Sequence, residues 1–251
     1  MDAHSIAADL RRRIIAGELP HQSRLPSVRD QVQHYSASQQ TVSAAYAALA
    51  ALGLIRTDST SGSYVTAARQ SDAHLGTFTP PDLAAAQAWQ PTADGESRSQ
   101  TTLVQQITAP AGLTGWGIAE GTDIVERTRM RYVDDVPVQH KLTIMPYRIA
   151  ACVPEGHEGT PPMLAPAGAD SAAPPSGIRV ADWLGWDVTG GTDVAITIEP
   201  MDTAAATALG VPEGSPGYRI VGITRDGDGN TVCVTVTTAQ LHHRITLSIT
   251  G

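Results

Sequence analysis

The chain has 251 residues, of which 41% are hydrophobic and 17% charged, and its formal net charge at pH 7 is −8. This ordinary globular balance excludes wholesale disorder, and the negative charge argues against DNA binding over the whole surface. No stretch reaches the roughly 18 apolar residues of a membrane span, so we expect a cytoplasmic protein without a membrane partner.

Charge is divided unevenly along the chain. Residues 1–68 contain six arginines and five acidic residues, a net charge of +1, which leaves −9 for the remainder. A near-neutral N-terminal segment can still concentrate positive charge on one face, whereas the acidic remainder should stay away from DNA.

The first 68 residues predict three helices. Apolar residues recur at helical spacing over residues 4–16, which predicts the first helix. Ser27 is a candidate N-cap of the second helix and Ser38 of the third, and Gly53 is a plausible end for the third. The two caps lie close enough together to leave only a short turn between the second and third helices.

Two short strands, over residues 54–57 and 63–66, predict a hairpin after the third helix. Three helices followed by a hairpin are the outline of a winged helix-turn-helix. In that motif the third helix enters the DNA major groove and the hairpin, or wing, reaches the neighbouring minor groove. We therefore predict a DNA-binding domain over residues 1–68.

Polar side chains lie on the outer side of the first turns of the third helix. A glutamine can pair with adenine through two hydrogen bonds, and serine or threonine is less selective. Arg11 belongs to a run of three arginines on the first helix, for which phosphate contact and ordinary solvated charge both remain open. The candidate residues of the third helix are Ser38, Gln39, Gln40, Thr41 and Ser43.

Several ordered blocks between residues 4 and 66 resemble the head of GntR-type bacterial transcription regulators: R-R-R-I-I-A-G-E-L-P, R-L-P-S-V-R-D, S-Q-Q-T-V-S-A-A-Y-A-A-L, G-L-I and G-S-Y-V. The resemblance implies DNA contacts by Arg29, by the start of the third helix and by Gly62 in the wing. Many members carry arginine where this chain has Gln39 and Ser43, which predicts weaker electrostatic attraction at the groove.

Residues 69–100 are rich in proline, glycine and small polar residues, and we interpret them as a partly ordered linker with one short helix over 83–89. From residue 101 to 251 we expect a second domain. Alternating patterns over 124–145 and 217–240 each predict a hairpin.

Other segments of the second domain give weaker signals. The pattern over 202–209 predicts a helix, and a strand over 243–249 is expected to close the sheet. The low-complexity segment 155–176 is expected to be a mobile loop.

Two blocks of the second domain resemble the UTRA effector domain of the HutC subfamily: E-G-T-D-I-V-E-R-T-R-M-R-Y-V-D-D-V-P-V and I-E-P-M-D-T-A-A-A-T-A-L-G-V-P-E-G-S-P-G-Y-R-I-V-G-I-T-R-D-G-D-G-N. The resemblance implies a mainly antiparallel sheet with flanking helices, related to the chorismate-lyase fold. It also implies a pocket for a small-molecule effector and dimerisation through this half. The whole chain is then α+β.

Arg127, Arg129 and Arg131 alternate along one predicted strand and therefore face the same side of the sheet. Three cations on one face need partners, which are either acidic neighbours of the Glu126 type or an anionic ligand. The resemblance points to Arg129 and Arg131 first as effector-binding residues, with Arg127 and Tyr218 as further candidates.

Cys233 is also a candidate effector-binding residue. Members of the subfamily often show Pro-Val-Glu where this chain has Thr231–Val234, so Cys233 indicates a more apolar effector or a pocket that no longer responds to one. Cys152 and Cys233 both lie in apolar surroundings, and buried free thiols are favoured over a disulfide.

No metal or cofactor is predicted. The segment 226–230 (D-G-D-G-N) lacks the later glutamate of a calcium loop and is better interpreted as a tight turn. The histidines lack zinc-type spacing, and no nucleophile elbow, phosphate loop or dinucleotide fingerprint occurs.

The sequence thus predicts a cytoplasmic homodimeric repressor. It would bind a palindromic operator in double-stranded DNA and be released by a small-molecule effector. Two alternatives stay open: an effector-independent regulator of a plasmid or mobile element, and a small-molecule enzyme with a DNA-binding head. We expect no enzymatic activity because no nucleophile or acid–base constellation is visible.

Overall fold

A computed structural model of the chain describes residues 1–58, 60–67, 70–77, 89–91, 96–169, 172–175 and 178–248. It contains an N-terminal helical domain with a hairpin and a C-terminal domain built on an antiparallel sheet. The predicted α+β fold is confirmed. None of the helices in these residues has the length and apolar composition that a bilayer span requires.

Three helices form the head: α1 (Ala3–Ile15), α2 (Val28–Tyr35) and α3 (Gln39–Ala51). Each begins at a side chain that accepts a backbone N–H, and these caps are Asp2, Ser27 and Ser38. Such caps fix where each helix starts because they satisfy N–H groups that lack a partner within the helix.

The core of the head is formed by aliphatic side chains from all its elements. Residues of α1 and α3 at helical spacing face each other and exclude water, which makes the orientation of α3 a consequence of packing. The largest fully buried members are Ile6, Leu10, Ile14, Val42, Leu49, Ile55 and Val65.

The hairpin after α3 consists of β1 (Ile55–Asp58) and β2 (Gly62–Val65), paired antiparallel. Asp58 organises its tip by accepting hydrogen bonds from Thr60 N (2.8 Å) and Ser61 N (2.9 Å). The Thr60 hydroxyl also donates to Asp58 (2.6 Å), and this bond, followed by the two backbone bonds, holds the pKa of the Asp58 carboxyl well below its usual range. The predicted hairpin is therefore present, and its tip is set by a local turn.

A hydrogen bond joins α1 to α2 within the head. The Tyr35 hydroxyl donates to the Asp9 carboxylate at 2.6 Å. This bond lowers the pKa of Asp9, whereas burial and then Asp9 itself raise the pKa of Tyr35 to about 12. The two groups therefore favour the pair with Tyr35 neutral and Asp9 ionised.

Tyr35→Phe is expected to lower the free energy of unfolding of the head by about 1 kcal/mol at pH 7. Because folding lowers the pKa of Asp9, this carboxylate stabilises the head at pH values above about 3.9, and that stability is lost as the pH falls further. Because folding raises the pKa of Tyr35, its phenol stabilises the head below about pH 10, and that stability is lost as the pH rises towards 12. The difference between wild type and variant should therefore be largest between about pH 5 and 10. Denaturant unfolding at several pH values measures it, with Tyr147→Phe as the exposed control. Equal stability of the two variants at pH 7 would contradict this assignment.

The C-terminal domain is built on a six-stranded antiparallel sheet of order β5-β6-β7-β10-β9-β8. The strands are β5 (Ser97–Thr108), β6 (Asp123–Val133), β7 (Val136–Pro146), β8 (Gly191–Pro200), β9 (Pro216–Arg225) and β10 (Thr231–Gln240). Both predicted hairpins are present as β6–β7 and β9–β10. The segment 226–230 is the turn of the second: Asp226 Oδ1 accepts from Asp228 N (3.1 Å) and Asn230 N (2.7 Å).

A second, three-stranded sheet has the order β11-β3-β4, with β3 (Ser71–Thr77), β4 (Trp89–Pro91) and β11 (Arg244–Ser248). The strand expected over 243–249 therefore does not close the main sheet, because β11 pairs in parallel with β3. Both β3 and β4 lie in the segment interpreted as a linker. Trp89, expected in a short helix, belongs to β4, and the rest of that predicted helix lies outside the described residues.

Helices and turns cover both faces of the main sheet. One face carries α6 (Thr203–Leu209) and a 3-10 helix (Ala111–Trp116). The opposite face, hereafter the pocket face, packs against α4 (Tyr147–Ala150) and α5 (Val180–Trp183). The described residues of the segment expected to be a mobile loop, 155–169 and 172–175, form no helix or strand, and Pro162 and Ala165 are buried.

The head and the C-terminal domain meet at the end of α3. The Gly53 carbonyl, two residues after α3, accepts a hydrogen bond from Thr66 Oγ1 (2.7 Å) and another from Gln240 Nε2 (3.1 Å). Gln240 is the last residue of β10 and is 1% exposed. The central strand β10 is therefore hydrogen-bonded directly to the end of α3.

Candidate nucleic-acid interface and ligand pocket

The start of α3 presents polar side chains to solvent. Ser38, Gln39, Gln40 and Ser43 are exposed, and Thr41 is half-buried. The Ser38 hydroxyl caps the helix by accepting Thr41 N (3.1 Å), and the two hydroxyls lie 2.7 Å apart. Ser38 and Thr41 are thus engaged with each other.

Gln39, Gln40 and Ser43 differ from their two neighbours because their side chains form no hydrogen bond to any residue that the structure describes. Their donors and acceptors are available to a partner outside the chain. The structure therefore brings the predicted side chains together on one helical turn and shows which three are free to bind.

Arg29 lies in the first turn of α2, where it is exposed and has no ion-pair partner in the described part of the chain. The segment before α2 is tied to α3 because the Tyr46 hydroxyl donates to the Pro26 carbonyl at 2.7 Å. This bond holds the beginning of α2 beside α3. Arg29 thus lies on a helix whose first turn is held against α3 by this hydrogen bond.

Gly62, the predicted wing residue, opens β2 with φ +93°, a conformation that side chains rarely adopt. Arg11 lies elsewhere. It lines a groove of about 710 Å³ between α1 and the C-terminal half of α3, together with Ala48 and Leu52. At 1.5 Å of rise per residue, Leu52 is about 18 Å along the helix from Gln40, so Arg11 is not part of the cluster at the start of α3.

The second candidate site is the pocket face of the main sheet. Arg127, Arg129 and Arg131 all point to this face, as their alternation predicts, and Glu126 points to the opposite one, where it accepts from Gln105 (2.7 Å). Glu126 is therefore not the acidic partner of these arginines.

The three arginines have different environments. The Arg127 guanidinium donates to the Pro162 carbonyl (3.2 Å) and to Thr101 Oγ1 (3.3 Å), so it fastens the segment that covers the sheet. Burial and then the charge of Arg129 lower the pKa of Arg127 to about 10. Arg131 is 3% exposed.

Arg129 is the available cation. It is half-buried, and among the described residues it has neither a hydrogen bond nor an ion pair. Burial lowers its pKa because the charged form is deprived of water. A partly desolvated guanidinium without a partner is energetically unfavourable unless an anion joins it.

Lys141 lies directly opposite Arg129 on the neighbouring strand and is 8% exposed. Opposite residues on adjacent strands have Cβ atoms about 5 Å apart, so two cations face the same space. Lys141 was not among the ligand-binding residues predicted from the sequence. The one sequence feature that distinguishes it is that it is the only lysine of the chain.

Cys233 and Tyr218 also lie on the pocket face. Cys233 is fully buried beside Val125 and Met145, and burial raises the pKa of its thiol although Thr224 and Lys141 act in the opposite direction. Tyr218 is three strands away from Arg131 in the same cross-strand row, about 14 Å. Both cysteines are free; Cys233 is buried as predicted, whereas Cys152 is only half-buried.

The pocket face thus places Arg129 and Lys141 side by side, next to a buried apolar cluster around Cys233. Thr235 and Thr237 of β10 lie on the same face, in the cross-strand rows of Arg127 and Arg129. Cations in such a setting can bind an anionic group through charge-assisted hydrogen bonds. No metal-ligand cluster occurs within the described ranges.

Residues 2–65 match the model of a protein family described as "Bacterial regulatory proteins, gntR family". The head is therefore a GntR-family helix-turn-helix domain. No curated protein matches the chain.

Solved structures resemble the whole chain. PhnF from Mycobacterium smegmatis is 18% identical, with 98% of each chain covered and a TM-score of 0.50. YydK from Bacillus subtilis is 15% identical over 100% of this chain and 99% of its own, with a TM-score of 0.45. The effector domain of PhnF alone is 16% identical over 62% of this chain and 88% of its own, also at 0.45. The similarity to full-length PhnF shows a shared fold.

Proposed function

We propose that the protein is a sequence-specific DNA-binding transcription regulator of the HutC subfamily, acting as a homodimeric repressor that a small-molecule effector releases. The observation that carries the proposal is the cluster of Gln39, Gln40 and Ser43, which are exposed without partners at the start of a rigidly packed helix. The family match of the head supports it.

The DNA-reading part follows from helix geometry. An α-helix fits the major groove, and its first turns present side chains to the base edges. Gln39 and Gln40 offer amide groups suited to adenine, and Arg29 offers a cation to the backbone phosphates. The start of α3 carries few positive side chains. Affinity would therefore depend more on contacts with the bases than it does in relatives that have arginine at these positions.

The effector part rests on Arg129 and Lys141. Arg129 has no partner among the described residues and faces Lys141, and this pair of cations favours an anionic group. The C-terminal half would then be a UTRA-type effector domain. The name of PhnF's effector domain, which has similar extent, agrees with a ligand-binding role.

The bond between Gln240 and Gly53 offers a route from the pocket to the head. Cys233 and Thr235 of β10 lie on the pocket face, and Gln240 at the end of the same strand donates to the Gly53 carbonyl beside α3. A ligand that shifts β10 would change how the head is held. It can alter DNA affinity only to the extent that it prefers one arrangement.

The outer edge of β8 supports the homodimer. Within the part of the chain that the structure describes, β8 pairs only with β9, and Val194, Ile196 and Ile198 are 45%, 43% and 63% exposed. All three side chains point to one side, which makes a continuous apolar stripe beside a free strand edge. Because opposing copies of one stripe are self-complementary, a second copy of this chain is the partner that fits it.

Ile196→Asp is expected to weaken the dimer by about 100-fold in dissociation constant, because each charge would be buried against its symmetry mate. Sedimentation equilibrium measures this constant, with Val153→Asp as the control at an equally exposed valine off the stripe. Unchanged association of the Ile196 variant, or a monomeric wild type, would contradict the assignment.

Selection of bound sequences from random duplex DNA tests the proposal as a whole. We expect enrichment of one palindromic sequence whose half-sites are about 10 base pairs, or a multiple, apart. Absence of any enriched sequence would contradict the proposed function, and a single half-site would contradict the dimeric form of it.

A further inference from the structure

The loop before α2 pairs with the wing through a single antiparallel bridge between Arg24 and Tyr64. Leu25 N donates to the Ser63 carbonyl at 2.8 Å, and Val65 N donates to the Ser23 carbonyl at 3.0 Å. These bonds fix the backbone of the loop against β2 on both sides of Arg24. The position of Arg24 is thus set by strand pairing and not by a free loop.

Arg24 lies on the outer face of the wing. It pairs with Tyr64, which in turn lies opposite Arg56, and directly opposite residues share a face. Arg24 and Arg56 are both exposed. The inner face is occupied by apolar core residues, so the two arginines form the cationic side of the wing.

The Arg24 side chain runs towards the wing tip. Its Nε and Nη2 atoms lie 3.2 Å from the position that a Cβ on Gly62 would occupy. Arg24 has no ion pair or hydrogen bond through its guanidinium to any residue within the described ranges. The absence of a side chain at Gly62 therefore makes room for a free guanidinium at the tip.

Taken with the proposed function, on which this step rests, we infer that Arg24 contacts a DNA backbone phosphate at the edge of the minor groove. The wing tip of this fold class reaches the minor groove beside the reading helix. A guanidinium lying along the wing backbone can donate to phosphate oxygens while the helix reads bases. Arg24 is then a second anchor on DNA, separate from Arg29 on α2.

The test is the salt dependence of operator binding by the full-length protein, measured by fluorescence anisotropy on the selected duplex. Arg24→Ala should lower affinity about tenfold at low salt. It should also reduce the slope of log K against log salt by about 0.9 for each head, because one phosphate contact is lost. Arg24→Lys should keep the slope.

Arg98→Ala is the control, since it removes the same charge from an exposed, ion-paired position in the other domain. If Arg24→Ala matches this control in affinity and slope while the wild type binds specifically, the inference fails and the proposed function stands. If the wild type shows no specific binding, both fail.

Gly62→Ala gives an independent check. An added methyl would press on the guanidinium and strain the φ of +93°. The loss of affinity from Gly62→Ala should be smaller in the Arg24→Ala background than in the wild type. Full additivity of the two losses would show that Arg24 does not act from the position beside Gly62, which overturns the inference.

Discussion

Gln40→Ala is expected to reduce the preference of the protein for its operator over random duplex by about 10-fold to 100-fold. A bidentate pair between glutamine and adenine discriminates by about 1–3 kcal/mol, and alanine removes both hydrogen bonds. Gln40 is exposed and makes no intramolecular hydrogen bond within the described residues, so its loss should leave the stability of the head unchanged. Affinity for random DNA should be unchanged because no charge is removed.

Gln33→Ala is the matched control for this experiment. Gln33 is also an exposed glutamine on a helix of the head, but it lies in the second half of α2. Titration of operator and random duplexes with each variant gives the specificity ratio. If the Gln33 and Gln40 variants have the same ratio as the wild type, the start of α3 does not read bases.

Arg129→Met should have two opposite effects. It should raise the free energy of unfolding of the ligand-free protein by about 1 kcal/mol, because it removes a desolvated cation that faces Lys141. It should also remove the stabilisation that comes from anion binding at this face. Phosphate or sulfate should raise the melting temperature relative to chloride, at equal ionic strength, by more in the wild type than in the variant, since an anion that binds only the folded state adds to the general stabilisation by these salts.

Arg148→Met serves as the control because Arg148 is an exposed arginine on α4 and does not belong to the strands that carry Arg129 and Lys141. Thermal unfolding in each salt distinguishes the possibilities. A variant that keeps the full anion response would exclude Arg129 as the binding residue. Absence of any anion response in the wild type would favour a regulator that works without an anionic effector.

The head could be predicted closely from sequence. Its helices begin at side chains with a strong capping preference, and its apolar residues recur at helical spacing, so local rules and packing agree. The candidate residues of α3 followed from the same periodicity. The contact of Arg24 with the wing could not be predicted from local patterns, because it depends on a backbone pairing between Arg24 and Tyr64, which are 40 residues apart in the chain.

The position of Lys141 opposite Arg129 could not be predicted from the sequence. Asp134 and Asp135 both have positive φ, as a two-residue hairpin turn requires, and a regular hairpin from this turn would place His140 opposite Arg129. A bulge at Val138 shifts the register by one residue and places Lys141 there instead. One extra residue thus moves the only lysine of the chain to the pocket face, and no local pattern indicates it.

The small sheet illustrates a second limit. β11 pairs with β3, about 170 residues earlier in the chain, and a strand pattern alone does not say which sheet a strand joins. The composition of residues 69–100 favoured a linker because proline and glycine are frequent there. Pairing with β11 overrides that local preference for residues 71–77.

The central claim is that the head reads a DNA sequence, and the most direct test is the specificity ratio of the wild-type protein across salt concentrations. Dissociation constants would be measured for the selected operator and for a shuffled duplex of the same composition. We expect a ratio of about 1,000 or more that persists as salt rises, because base contacts do not depend on counterion release. Equal constants for both duplexes, weakening together with salt, would contradict it.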